Sequence, residues 1–283
     1  METANGDQVA YWNEQSGPTW AAMQKLIDAQ IAPLGLQAID ALTPRAGECV
    51  LDIGCGCGDT TLEIARRVRP RGEVLGLDIS APMLEVAVER AAAIAAADVG
   101  FRRADAQIAR FDARFDAAFS RFGVMFFADP IAAFTNIHDA LRPGGRIAFV
   151  CWRDPAENPW MMVPLAAALR FVPPPPPMDP TEPGPFAFAD ASRVRAILMA
   201  AGFEDIVTAP FDIEIGGFGL NQALELALRI GPLGKLLREV PDRHDSVVGA
   251  VREALAAHDT GHGVWLKSGT WIVSASRAER PKR

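Results

Sequence analysis

The chain has 283 residues, 49% of them hydrophobic, and a formal net charge of −7. That supplies enough apolar material for a full core and fits one domain with insertions, while the acidic balance gives no basic footprint for nucleic acid. No apolar run nears the roughly 18 residues of a bilayer span, and Met1 to Val9 lacks the basic-then-apolar pattern of a secretion signal, so a cytoplasmic protein without membrane insertion is expected.

From Tyr11 to Leu42 the apolar positions recur at helical spacing, with interruptions at Pro33 and Gly35 that predict two helices. Tyr11, the only tyrosine, stands beside Trp12 and close to Trp20. These aromatics read equally as a clamp that docks the N-terminal helices or as part of a lid, over residues 1–42, that closes on a substrate and excludes water. Pro44 and Gly47 then mark the turn into the remaining domain, 43–283.

Val50-Leu51-Asp52-Ile53-Gly54-Cys55-Gly56-Cys57-Gly58-Asp59-Thr60-Thr61 is the most informative stretch. Val50 to Ile53 reads as a buried strand. Leu62, Ala65 and Val68 place a helix after the glycines. Strand, glycine turn and helix form the opening unit of a doubly wound α/β sheet, whose ligands sit at the strand ends beside the helix N-terminus. Cys55 and Cys57 read as small residues within the turn, since no second Cys/His pair lies at ligand spacing, and no metal is expected. Four cysteines are too few for a disulfide scaffold in a chain of this length.

Glu73 to Leu77 is a second strand, ending at Asp78-Ile79-Ser80, with Ser80 placed to cap the next helix and Pro82 in its first turn. Asp78 stands roughly 20 residues beyond the glycines, where an acid can accept both hydroxyls of a ribose. An Ala-rich helix follows to about Ala97, then a short third strand near Val99 to Arg103, with Asp105-Ala106 after it. Phe115 to Ser120 is the fourth strand, and Arg121 to Phe127 its exit. Pro130 to Leu141 is a helix, and Arg142-Pro143-Gly144-Gly145 forces a reversal into the fifth strand, Arg146 to Trp152. His138, inside that helix, reads as a surface or packing histidine.

After Arg153 the rhythm changes. Asn158-Pro159-Trp160, the run Pro173 to Pro177 and Pro180 to Pro185 exclude helix or sheet interior, which predicts a stiff connector edging a pocket, an insertion over 153–189. Asp190 to Ala201 is a further helix ended by Gly202. Ile206 to Ile215 is a sixth strand, 216–263 a helical insertion, and Val264 to Ser274 the last strand.

The acid at Asp52 with Gly54-x-Gly56-x-Gly58 resembles the first motif of class I S-adenosylmethionine-dependent methyltransferases, not the G-x-G-x-x-G of dinucleotide folds. The charge logic agrees: an acidic strand end suits a sulfonium and ammonium ligand and would repel a pyrophosphate. Leu141 to Gly145 matches the same family. The resemblance spans about Val50 to Val150 and is strongest to the ubiquinone/menaquinone-biosynthesis type. It implies a Rossmann-like sheet of seven mostly parallel strands, with the last inserted antiparallel between the fifth and sixth, plus N-terminal helices and helical insertions. It implies S-adenosyl-L-methionine as cofactor. The residues expected around it are Asp52, Gly54, Cys55, Gly56, Gly58, Thr60, Asp78, Ile79, Met83, Asp105, Ala106, Ser120 and Arg121, with Asp105 toward the adenine amino group.

For a small-molecule acceptor the expected lining is Tyr11, Trp12, Trp20, Phe122, Met125, Trp152, Arg153 and Trp160, largely apolar, with Arg121 and Arg153 able to hold one anionic group. S-adenosylmethionine is an activated donor, so alignment carries most of the catalysis and no catalytic residue is assigned. His244, His258 and His262 fall in the insertion and read as surface residues ahead of bases. Two rivals stand beside this reading: an NAD(P)-dependent oxidoreductase on the same fold, and a module that binds S-adenosylmethionine without catalysis. The Tyr-x-x-x-Lys pair of short-chain dehydrogenases fails, because the one tyrosine precedes the cofactor loop. The tetrapeptide of amino-methylating nucleic-acid enzymes is absent too.

Overall fold

The computed structural model describes residues 5–111, 115–175, 179–239 and 244–279. Its sheet has seven strands: β1 (Cys49–Ile53), β2 (Glu73–Asp78), β3 (Val99–Arg103), β4 (Phe115–Arg121), β5 (Leu141–Trp152), β6 (Glu204–Phe218) and β7 (Val264–Ser276). They lie in the order β3-β2-β1-β4-β5-β7-β6. The strands from β3 to β5 pair in parallel, and β7 runs antiparallel to both β5 and β6. The doubly wound methyltransferase-type sheet expected above is therefore the architecture of this chain. β1 is the central strand, and Val50, Leu51, Asp52 and Ile53 are all buried, which is why its sequence runs apolar without alternation.

The helices are α1 (Gly6–Ala10), a π-helical turn over Tyr11–Gln15, α2 (Ser16–Ala22), α3 (Gln24–Leu42), α4 (Asp59–Val68), α5 (Ala81–Ala93), α6 (Pro130–Ala140), α7 (Pro159–Ala168), α8 (Ala191–Ala200), α9 (Leu220–Arg229), α10 (Gly231–Glu239) and α11 (His244–Ala256). α3 spans β4 to β7, α4 packs on β1 to β3, and α6 and α8 pack together beside β5 and β6. Between β6 and β7, the helices α9, α10 and α11 build a second hydrophobic cluster with α7, around Leu233, Leu236, Val247 and Val251. The main core, centred on Phe119, Phe134 and Phe149, is separate from it.

Several local expectations are corrected. α3 runs unbroken through Pro33 and Gly35, and the break falls at Met23. Pro33 and Ala29 both face solvent, so the carbonyl that loses its i+4 donor is left to water. Gly35 is buried because the Arg121 side chain crosses it: a Cβ there would stand 2.7 Å from Arg121 Cδ. The segment after Arg153 does hold a helix, α7, because Pro159 occupies its first turn, where no N–H is needed. Ser80 precedes α5 without capping it; its hydroxyl donates to the Trp12 carbonyl at 2.7 Å. The Arg142–Gly145 reversal is absorbed as a bulge within β5, where the pairing moves from Phe115↔Leu141 to Ala117↔Arg146. His138 packs edge-on to Phe203, centroids 5.2 Å apart. Pro176 and Pro177 of the proline run lie outside the described residues.

Candidate active site

The site forms where β1 ends. Gly54 and Gly56 take φ values of +65° and +53°, a region that side chains with a Cβ adopt only under strain. Space forbids a side chain as well: a Cβ on Gly54 would lie 2.8 Å from Gly123 Cα, and one on Gly56 2.7 Å from Met83 Cε. The loop is tied down by Gly54 N–H donating to the Leu77 carbonyl at 2.8 Å and by Gly56 N–H donating to Asp78 Oδ2 at 2.8 Å. Asp78 Oδ1 accepts from the Ser80 N–H at 2.8 Å, which holds the carboxyl at the strand end with lone pairs to spare.

Asp52 lies beneath this loop, fully buried. Its Oδ2 accepts from the hydroxyls of Thr60 at 2.8 Å and Thr61 at 2.6 Å. Oδ1 has no partner. Burial pushes the carboxyl up to about 6, although the two threonine hydroxyls pull the other way. A buried carboxylate oxygen without a donor fits a cationic ligand group.

Above the loop is a cavity of about 390 Å³, mouth included. Gly54, Cys55, Gly56, Cys57 and Thr60 form its floor, Met83 and Arg121 its sides, and Trp20, Gln24, Ile27, Asp28 and Ile31 of the N-terminal helices its roof. Arg121 closes a square of charges: it pairs with Asp28 at 2.8 Å and Asp59 at 2.9 Å, and Arg90 pairs with the same two at 2.9 and 3.1 Å. The square clamps α3 to the glycine loop, for Arg90 also donates to the Cys57 carbonyl at 2.8 Å.

The N-terminal segment is threaded over the strand ends. Asn13 donates to the Ile79 carbonyl at 3.0 Å and accepts from the Ala81 N–H at 2.9 Å. Asn5, 5% exposed, donates through its one nitrogen to both oxygens of Asp105 at 2.9 Å and accepts from Ala128 N–H at 2.7 Å. Trp12 meets Tyr11, Trp20 and Phe126 edge-on, with centroids 5.2–5.6 Å apart. Ala106 is buried, its carbonyl taken by Asn136.

The structure thus gathers Gly54, Cys55, Gly56, Thr60, Met83, Arg121 and Trp20 on one cavity, over Asp52 and Asp78. Phe122 lies beside it, its ring stacked on Trp152 with centroids 3.9 Å apart. Gly58 backs away from the cavity onto Ala87 and Phe101. Other expected contacts are corrected. The Ser120 side chain is buried, donating to the Ile53 carbonyl at 2.7 Å, so it ties β4 to β1. Met125 is 1% exposed and belongs to the core. The Arg153 guanidinium is held by Asp212, at 2.7 Å, and Glu157, and lies over the Trp271 ring; Arg121 is committed to its two aspartates. Neither arginine is left to hold an anionic substrate. Trp160 lines a different cavity, between α7 and the α9–α10 pair, and His258 and His262 line neither. The side chain of His244 lies outside the described residues.

Sequence reasoning missed Asp28, Gln24, Ile27, Asp59, Arg90 and Asn5. The one available signal was Asp28, an acid set between Ile27 and Ile31 in an otherwise apolar stretch.

Comparison with known proteins agrees with this geometry. Residues 50–145 match the methyltransferase domain family. The chain is 37% identical over 118 residues to aklanonic acid methyltransferase of Streptomyces sp. (strain C5), covering 41% of this chain and 54% of that one. It is 41% identical over 100 residues to demethylmenaquinone methyltransferase of Lactiplantibacillus plantarum, covering 35% and 42%. In each case the match spans about half of the relative's length. A crystal structure of the YcgJ protein from Bacillus subtilis shares the fold, with a TM-score of 0.58, 20% identity, and coverage of 88% of this chain and 99% of that one. The fold and the glycine loop define a class I methyltransferase domain, the class whose cofactor is S-adenosylmethionine. Residues 50–145 belong to that family, on the branch that includes quinone-biosynthesis and other small-molecule enzymes.

Proposed function

We propose that the chain transfers a methyl group from S-adenosylmethionine to a small, uncharged, largely apolar or aromatic acceptor. The observation that supports this most is the cavity over the glycine loop, with an unpartnered, fully buried Asp52 oxygen beneath it. When bound, S-adenosylmethionine supplies an electrophilic methyl group on a sulfonium. Asp52 answers the ammonium end of its amino-acid part, since an ionised Oδ1 gains a cationic partner there. Asp78 accepts the ribose hydroxyls, Ile79 and Met83 flank the ring system, and Asp105 accepts from the adenine amino group with Ala106 alongside.

The N-terminal helices act as the lid. Trp20, Ile27 and Ile31 shut water out from above, and Trp12 braces them against Phe126. Holding donor and acceptor in line is the main contribution of these residues, because effective molarities reach about 10⁵ M for well-oriented partners. The stacked Phe122 and Trp152 offer the acceptor an apolar wall. With Arg121 and Arg153 both engaged, a neutral acceptor is favoured over an aryl acid. The net charge of −7 speaks against a nucleic acid as acceptor.

The test is mass spectrometry of products after incubation with S-adenosylmethionine. One panel holds neutral phenols, quinols and aromatic ketones, the other polar amines and peptides. Gain of one CH₂ in the first panel is expected; activity confined to the second would overturn the reading.

A further inference from the structure

A second cavity, of about 510 Å³ with its mouth, opens beneath α9 and α10, against α7 and the facing ends of β6 and β7. Its wall is apolar, with Met161, Ile215, Leu226, Leu233 and Val264, and no charged side chain lines it. A charged ligand would lose its hydration there without a partner. Two polar side chains belong to the wall, Gln30 and Trp160. Gln30 is 7% exposed, a buried amide on a cavity surface. The Trp160 indole nitrogen is buried and has no acceptor. Buried tryptophan N–H groups ordinarily find one.

The cavity is joined to the cofactor site by two structures. Gln30 faces it from α3, while its neighbours Ile27, Asp28 and Ile31 roof the cofactor cavity. Trp160 lies 5.0 Å from Trp152, which stacks on Phe122, the residue after Arg121 on the cofactor cavity wall.

We propose that this cavity seats the apolar body of the methyl acceptor, an uncharged molecule bearing a carbonyl oxygen that accepts from the Trp160 N–H. The inference rests on the methyl-transfer reading above and deepens it: the acceptor lies across α3 from the cofactor, and Trp160 is the residue that selects for the oxygen. Gln30, on the same wall, offers a second hydrogen-bonding position.

Two neutral probes of similar shape separate the parts of this claim: 2-acetonaphthone carries a carbonyl, and 2-ethylnaphthalene does not. Binding to the full chain is followed by ligand-observed NMR, and S-adenosylhomocysteine calorimetry on each variant reports the fold and the cofactor site independently. The wild type should bind the ketone about 5- to 10-fold more tightly than the hydrocarbon, the share of one hydrogen bond. Trp160→Phe should erase that preference and leave the hydrocarbon's affinity unchanged. Ala227→Trp should weaken both probes by more than about tenfold by filling the cavity, with Ala223→Leu as the gentler version if the larger ring unfolds the insertion. A ketone preference that survives in Trp160→Phe, or probes that bind the filled cavity as tightly as the open one, would overturn the proposal. Loss of S-adenosylhomocysteine binding by the wild type itself would instead strike the methyl-transfer reading, and the probe results would still decide the cavity's ligand.

Discussion

The two sides of the sheet's carboxyl edge hold their ligand space in different ways. Over β1 and β2 the work falls to backbone and carboxylates: glycines at positive φ, N–H groups tied to Asp78, and a buried Asp52. Over β6 and β7 it falls to aliphatic side chains from four helices, with one indole N–H and one amide as the polar points. The first kind of site tolerates few residue types at each position, because a Cβ or a lost charge changes the geometry outright. The second tolerates many, since apolar side chains of suitable volume can replace one another. The first is therefore readable in a sequence and the second is not.

That contrast can be broken most severely at Gly54. Gly54→Val places branched bulk within 3 Å of Gly123 at a φ of +65°, and should abolish S-adenosylhomocysteine binding in calorimetry while lowering stability by about 2–4 kcal/mol in urea titration. An aliphatic exchange in the other region, Leu226→Met, should cost under about 1.5 kcal/mol. Equal costs at the two positions would erase the distinction.

Asp78→Ala should come next, weakening S-adenosylhomocysteine by about 1–3 kcal/mol in calorimetry, because hydroxyls lose a charged acceptor and the Gly56 N–H its anchor. Unchanged affinity would show that Asp78 is not the ribose ligand.

The buried Asp52 predicts a pH signature that the apolar cavity cannot give. Its folded-state value of about 6 lies above the ordinary 3.8, so folding favours the protonated form. This group's contribution to stability is thus greatest below about pH 4 and is lost as pH rises to 6, on the order of 3 kcal/mol in all. A cationic ligand group reverses the preference by favouring the carboxylate. S-adenosylhomocysteine affinity should consequently fall as pH drops below about 6, by up to tenfold per unit, and Asp52→Asn should flatten the profile. A wild-type profile flat from pH 5 to 8 would count against Asp52 as the ammonium partner.

The smallest effect is expected at Asn5, whose amide nitrogen bridges both Asp105 oxygens, the contact assigned to the adenine amino group. If the cofactor must displace it, Asn5→Ala should tighten S-adenosylhomocysteine about threefold, a modest share of one hydrogen bond. Weaker binding would make Asn5 a support of the site, not a competitor.

The legibility of the sequence follows the same division. Asp52 to Gly58, Asp78 and the Leu141–Gly145 turn stood out because turn geometry and carboxylate chemistry restrict residue type there. The strand order could be expected only through the family resemblance, since nothing local in Val264 to Ser274 tells an antiparallel insertion from an edge strand. Pro33 and Pro159 misled for opposite reasons: one carbonyl is freed toward water, and one proline sits where a helix needs no donor. The Asp28–Arg90–Asp59–Arg121 square joins four elements distant in sequence, and each member alone reads as an ordinary surface charge. Arg153 looked available for the same reason, because its partner Asp212 lies on β6, 59 positions away.

The measurement that bears most directly on the account is calorimetric titration of the intact chain with S-adenosylhomocysteine, followed by NAD and NADP. The account predicts one saturable site for S-adenosylhomocysteine, weakened by Asp78→Ala, and no measurable heat from either dinucleotide. Saturable binding of NAD or NADP, with no response to S-adenosylhomocysteine, would contradict it.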